Sequence, residues 1–320
     1  LGQSFVSYLN IVEWNKFMKP VVDMKLKPEM VKELVEQMHE SGGFVAKKVG
    51  TGARIFEKMV GEECLTFLSF PACVIATGLR GVIKDLVKHK KVDVIITTCG
   101  TLDHDFARCF KDYYHGSFDL DDKELHQKGL NRLGNVLVPN ESYGVILEEK
   151  LMPMIASIYA EKKTLSTREF CFEIGKRLDN EDSILYWAAK NNVPIFVPGI
   201  TDGSVGSQIW MFRQKHNDFV IDVFKDEEEL AALVFNAKKT GALMIGGGIS
   251  KHHTIWWNQF KEDGLDYVVY ITTAVEHDGS LSGARVKEGI SWGKVSEDAR
   301  FVTIEGDATV LLPLVVGSAL

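Results

Sequence analysis

The segment "TTAVEHDGSLSGARVKEGISWGKV", residues 272–295, gathers side chains suited to amine chemistry. It lies between "DYVVYI" and "RFVTIEGD", which both read as strands, whereas loops between strands in α/β domains usually run only a few residues. It holds Glu276, Asp278 and Glu288, and Lys294 follows Trp292 by two positions. Carboxylates suit ammonium groups, and an aromatic face suits a methylene chain and a positive charge. An amine that sheds its proton in such a place is a nucleophile toward carbonyl or imine carbon. Most lysines are solvated surface groups, so the local pattern leaves both readings of Lys294 open.

A second set of residues suits a different ligand. Strand-like runs end in small or polar residues: Thr97, Thr98, Gly100, Asp103, His104 and Asp105 in "IITTCGTLDHD", and Asp202, Gly203 and Ser204 in "VPGITDGSVGSQ". "LMIGGGISKHH" supplies Gly246, Gly247, Gly248, Lys251, His252 and His253; Thr273, Asp278, Ser280 and Asp307 follow later strands. Such residues let backbone N–H groups approach a phosphate or ribose closely. Their recurrence along one edge of a parallel sheet points to a large ligand such as a dinucleotide, although the G-x-G-x-x-G fingerprint is absent. His252 and His253 do not suggest a metal centre, because neighbours on a helix point about 100° apart and ligating pairs favour i, i+4 spacing. One of them reads as a functional imidazole. His104 between Asp103 and Asp105 reads equally as a turn residue or a site residue, Asp202 also reads as a cap, and Trp256–Trp257 reads as core or interface.

These residues need elements to position them. "CLTFLSF", "VDVIITT", "VPIFVPG", "DFVIDVF", "GALMIGGG", "DYVVYITT" and "RFVTIEGD" read as strands, and "PEMVKELVEQMHES", "GLRGVIKDLVKHKK" and "DEEELAALVFNAKKT" as amphipathic helices. Their alternation predicts an α/β fold, a mostly parallel sheet with helices on both faces, Rossmann-like but without the glycine fingerprint. The stretch "VPNESYGVILEEKLMPMIASIYAEKKTLSTREFCFEIGKRL" reads as a long helical insertion, and no linker divides the chain. The expectation is a single catalytic domain over residues 1–320 with a helical N-terminal extension.

Composition narrows the partners. The net charge of −7, from 37 basic and 44 acidic side chains, argues against nucleic acid as the main ligand. Five cysteines without C-x-x-C spacing argue against a disulfide framework and for a reducing, cytoplasmic setting. "ATVLLPLVVGSAL" is too short to span a bilayer, and "LGQSFVSYLN" has no signal-peptide pattern; it also lacks an initiator Met.

"GGG-x-x-KHH", "DY-x-x-Y-x-TTA", "DGS-x-SGA", "SWGK" and "GDAT" occur in that order, preceded by "TGLRG", "VDVIITT", "LNRLGNVLVPNESYG" and "VPIFVPGITDGS". This set resembles deoxyhypusine synthase over nearly the whole chain, and "TLDHD" and "KHHTIWWNQF" are most similar to its archaeal branch. The resemblance implies NAD-dependent transfer of the 4-aminobutyl group of spermidine to one lysine of the precursor of translation initiation factor 5A. It also implies a homotetramer, a dimer of dimers with its sites between paired chains. Carried over by position, Lys294 forms the covalent imine and His252 is the acid/base. Glu288 and Trp292 line the polyamine tunnel, with Asp103, His104, Gly279 and Ser280 nearby. NAD contacts map to residues 72–76, Thr98, Cys99, Gly100, Asp202, Gly247, Thr273, Ala274, Asp307 and Ala308, with no metal. Ser207, Leu281 and His104 stand where many members carry acids, and "PACVIATG" lacks the Ser and Asn of eukaryotic members. These departures bear on which polyamine is used more than on the reaction type. Two alternatives remain: a homospermidine synthase-like enzyme with a small amine acceptor, and a catalytically dead NAD-binding paralogue. Retention of Lys294, His252, Glu288 and Trp292 speaks against the second.

Overall fold

Pro28 opens the first helix of the described residues, where its fixed φ suits the helical turn and its missing N–H would have had no partner. This computed structural model describes residues 18–320; "LGQSFVSYLN", whose sequence has no signal-peptide pattern, lies outside the described residues. In chain order the helices are α1 (Pro28–Ser41), α2 (Phe44–Gly61), α3 (Leu79–Lys88), α4 (Cys99–Ala107), α5 (Asp122–Gln127) and α6 (Gly144–Glu161). They continue with α7 (Thr167–Arg177), α8 (Ile184–Asn191), α9 (Ser204–Arg213), α10 (Phe224–Asn236), α11 (Gly248–Asn258) and α12 (Ala308–Val316). The strands are β1 (Leu65–Phe70), β2 (Val94–Thr97), β3 (Tyr114–His115), β4 (Leu130–Leu133), β5 (Val136–Pro139) and β6 (Thr164–Leu165). After them come β7 (Ile195–Phe196), β8 (Val220–Ile221), β9 (Thr240–Ile245), β10 (Leu265–Thr272) and β11 (Val295–Glu305).

The central sheet has six parallel strands in the order β11-β10-β9-β1-β2-β7. Numbered along the chain within that sheet alone, the order is 6-5-4-1-2-3, the doubly wound arrangement of dinucleotide-binding folds. The winding reverses between β1 and β9, and the crevice beyond their C-terminal ends is where such folds bind ligand. The usual glycine turn is replaced after β1 by a 3-10 turn, Ala72–Ala76. Strand alternation builds a core on each face: Leu68, Phe70, Val269 and Ile271 face one, Phe67, Val94, Val268 and Tyr270 the other. Burying each such side chain contributes about 1.5–3 kcal/mol.

Several elements depart from the sequence reading. The N-terminal extension is helical, but α2 is part of the layer over the sheet: a Cβ at Gly52 would lie 2.8 Å from Ile304 and 3.3 Å from Val269. "VPIFVPG" and "DFVIDVF" shrink to the two-residue strands β7 and β8. The stretch that reads as one helical insertion is two helices separated by β6, which pairs with β8. The break is local, because Ser166 and Glu169 form a capping box that starts α7 afresh. The antiparallel β3-β5-β4 sheet, with strands of two to four residues, is a further addition. Among the described residues no helix is long and apolar enough to cross a membrane.

Candidate functional site

The long loop after β10 is shaped by glycines and latched by donors from the core. Gly279 and Gly293 adopt φ values of +73° and +65°, where a side chain would be strained. Lys251 on α11 is 3% exposed, and its Nζ donates to the carbonyls of Leu281 and Ala284, each at 2.6 Å. The Tyr270 hydroxyl and the Thr272 hydroxyl both donate to the Ser282 carbonyl, at 2.6 and 2.9 Å. A Cβ on Gly247 would lie 2.5 Å from Ser282 Cα, so the glycine run before α11 admits this loop. Burial pulls the Lys251 amine down to about 8, against the opposing pull of the Glu288 carboxylate.

The latched loop and α11 enclose a cleft of about 350 Å³ lined by Lys251, His252, Trp256, Glu288, Trp292 and Lys294, among others. Lys294 is held through its backbone, its N–H donating to Gly289 O and its carbonyl accepting from Leu265. Its Nζ lies 5.2 Å from the Trp292 ring centroid and 5.6 Å from that of Trp256. His252 stacks on Trp256 at 5.8 Å. Burial, then the nearby Lys294 charge, lowers the His252 pKa, so its imidazole is neutral near pH 7 and can accept a proton. Glu288 is exposed at the rim. His253 points elsewhere, with Nε2 3.4 Å from Glu227 on α10.

The residues expected at a cofactor line the C-terminal edge of the sheet. Thr98 Oγ1 accepts from Ala72 N–H at 3.2 Å, and a Cβ on Gly100 would meet Ala72 Cβ at 2.8 Å, so the first two βα turns touch. Gly247 and Gly248 lead into α11. Asp307 caps α12 by accepting from Thr309 N–H and is otherwise exposed; Ala308 starts that helix. Asp202 and Thr273 are exposed, and Ala274 is half-buried. Cys99 is fully buried, and burial pushes its thiol up to about 12. Small side chains, helix N-termini and exposed carboxylates fit the phosphates and ribose hydroxyls of a dinucleotide. Among the described residues no three His, Cys, Asp or Glu side chains gather as a metal site.

Asp103 and His104 are not brought to the Lys294 cleft within one chain. Asp103 is 0% exposed and accepts from Ser204 N–H, Val205 N–H and the Tyr143 hydroxyl, so it caps α9. His104 shares a 2.9 Å hydrogen bond between Nδ1 and the Tyr113 hydroxyl, and burial drops its pKa to about 4. It lines a second cleft of about 680 Å³ with Asn131, Asn140, Tyr143, Glu148 and Gln208. Gly279 and Ser280 are exposed on the loop but do not line the Lys294 cleft. Sequence reasoning missed Lys251 as the latch and placed Trp256 with Trp257 in core or interface. Trp257 does pack inward, its indole donating to Glu227, whereas Trp256 lines the cleft. The signal was the i, i+4 spacing of His252 and Trp256, which puts both on one helix face.

The sheet order and the polar turns at its reversal point define an α/β enzyme of the doubly wound, dinucleotide-binding type, with a lysine–imidazole cleft beside that edge. The family profile for deoxyhypusine synthase matches residues 33–319, and the chain belongs to that family. It is 59% identical over 304 residues to the "Probable deoxyhypusine synthase" of Picrophilus torridus, covering 94% of this chain and 97% of that one. With the protein of the same description from Thermoplasma acidophilum it is 56% identical over 299 residues, 93% and 96% of the two chains. It is also similar to the crystal structure of "a putative deoxyhypusine synthase from Entamoeba histolytica", at TM-score 0.62 and 25% identity, covering 90% of this chain and 91% of that one. The family is one of aminobutyl transferases that carry the aminobutyl group of spermidine to a lysine of translation factor 5A, generally with NAD.

Proposed function

We propose that this chain, as one catalytic domain, moves the 4-aminobutyl group of spermidine onto a lysine of the factor 5A precursor through a covalent imine on Lys294. The observation that carries this reading is the convergence of Lys294, His252, Glu288, Trp292 and Trp256 on one cleft. Glu288 at the rim binds an ammonium group, and the two indoles flank the methylene chain. Thr98, Gly100, Asp202, Gly247, Thr273, Ala274, Asp307 and Ala308 would hold NAD at the sheet edge, where it would supply the acceptor and later the donor of hydride. Lys294 Nζ, once neutral, attacks the imine carbon derived from the polyamine; the C–N bond to diaminopropane breaks and that amine leaves with the proton. His252, neutral at pH 7, takes and returns the proton during this exchange. The acceptor lysine then displaces Lys294 by the same exchange.

A paired assembly, as the resemblance implies, would give the second cleft a role. Within one chain His104 and Lys294 line separate clefts, and large apolar side chains frame both: Trp256, Phe260 and Trp292 beside one, Leu133 and Val145 beside the other. We read these faces as meeting in a homodimer, two of which form the homotetramer. The decisive experiment incubates the protein with NAD, labelled spermidine and the factor 5A precursor, with putrescine as rival acceptor. Label on the precursor is expected; label recovered only as homospermidine would overturn the assignment.

A further inference from the structure

The motif "TGLRG" and the buried arginines beside it do not line the Lys294 cleft. Both glycines admit a chain segment that crosses them. A Cβ on Gly78 would lie 2.9 Å from Val22 O, and one on Gly81 would lie 2.4 Å from Met24 O. The crossing segment, residues 19–24, is held along its length. His115 N–H donates to Lys19 O, Val21 N–H to Tyr113 O, and Met24 N–H to Gly78 O.

The side chain in the middle of this strap closes a buried charge cluster. Arg80 and Arg108 have side chains 3% and 5% exposed. Asp105, at 0%, accepts from Arg80 Nε, the Ser183 hydroxyl and the N–H groups of Ile184 and Leu185. Its oxygens are committed to Arg80 and to the start of α8, so a second guanidinium needs a second carboxylate. Asp23 supplies it, 2.9 Å from Arg108 and 3.5 Å from Arg80. Arg108 spends its other nitrogen on the carbonyls of Ile75 and Thr77, at 2.7 and 2.9 Å. Those carbonyls belong to the end of the 3-10 turn after β1, which stands at the reversal point of the sheet. One guanidinium therefore ties the strap to that turn.

We infer that Asp23 is a positioning residue for the first βα turn, fixing Arg108 so that the turn is pre-set for the dinucleotide that Asp23 never touches. This rests on the reading of NAD at the sheet edge. Without the carboxylate, Arg108 is buried unpaired and is free to leave Ile75 and Thr77, and the turn must then be ordered at the expense of binding. By reciprocity, NAD must tighten the strap as much as the strap tightens NAD.

The test is an NAD titration of the full chain and of Asp23→Asn, with steady-state kinetics at saturating spermidine. The substitution should raise the Kd and the KM for NAD about ten-fold, the loss expected of one charge-assisted hydrogen bond, with kcat at saturating NAD nearly unchanged. Asp23→Glu should recover part of the affinity. A merely structural role would lower thermal stability without this split between KM and kcat. Should Asp23→Asn fail to fold, hydrogen exchange of the unaltered protein decides: NAD should slow exchange at the Val21 and Met24 amides. Unchanged NAD affinity in a folded Asp23→Asn, or NAD-insensitive exchange at those amides, overturns the inference alone. No NAD binding by the unaltered protein overturns both it and the cofactor reading.

Discussion

The wall of the cleft built on α11 and the wall built from the 273–294 loop each carry a lysine. On the helix, Lys251 is 3% exposed, donates to two carbonyls, and lies 3.9 Å from the Tyr270 ring centroid. On the loop, Lys294 is anchored by its backbone, and its Nζ faces two indole rings. A lowered pKa alone would select Lys251 as the nucleophile, since burial brings it to about 8. Geometry selects Lys294, because an amine whose protons are already engaged by fixed carbonyls cannot approach a substrate carbon without releasing the loop. The same contrast separates buried Asp103, with its oxygens filled, from exposed Glu288. It separates His253, turned toward Glu227, from His252 in the cleft.

The largest expected effect is on Lys294. Lys294→Ala should abolish transfer and leave NAD binding near normal, and Lys294→Arg should be equally inactive because guanidinium stays charged. Borohydride trapping with spermidine and NAD should add a butylamine mass to the peptide holding Lys294. Mass on Lys251 or Lys287 instead would erase the contrast between the two walls.

Lys251→Met tests the other lysine. It removes the donors to Leu281 and Ala284 and should lower unfolding stability by about 3–6 kcal/mol, given 1.5–3 kcal/mol for each bond to a charged donor. Trapped mass should persist on Lys294 at reduced yield. Urea unfolding at unchanged midpoint would show that the loop is held by other means.

The buried imidazoles make stability depend on pH. His104 and His253 have pKa values lowered to about 4 by burial, against an unfolded value near 6.5. Between those values the unfolded chain binds more protons, so stability is full above pH 6.5 and falls as pH drops toward 4. Unfolding at pH 7 and pH 5 should differ by roughly 2–4 kcal/mol, and His253→Gln should reduce that difference. A pH-independent midpoint over this window would contradict the burial of both rings.

The smallest effect belongs to Trp292, which is 67% exposed. Trp292→Leu should raise the spermidine KM roughly five-fold, the equivalent of about 1 kcal/mol for an exposed cation–π contact. An unchanged KM would assign the polyamine to the Trp256 side of the cleft.

Local periodicity makes much of the frame legible in the sequence. "PEMVKELVEQMHES" is α1 residue for residue, and "DYVVYITT" lies within β10 but for its last residue. Lys294, His252, Glu288 and Trp292 are legible as well, because a resemblance in short motifs preserves the residues that touch one another in a cleft. β7 and β8 are legible as strands but not in their length, since their apolar runs continue past the two residues that pair. Asp103 reads as a tunnel residue beside His104, yet its oxygens serve α9, a helix that begins about a hundred residues later in the chain.

The amino-acid order by itself determined the amphipathic helices such as α1, the long strands and the chemical types assembled near the C-terminal end. These follow from interactions a few residues apart, such as caps, side-chain periodicity and the backbone demands of glycine. Only the tertiary structure decided the strand order that makes a dinucleotide crevice without a glycine fingerprint, and which lysine is latched and which faces the cleft. It also decided that Asp23 closes the charge on arginines some sixty and eighty residues away. Burial and hydrogen-bond satisfaction settle these outcomes, and both are properties of packed segments whose distance along the chain bears no relation to their distance in space.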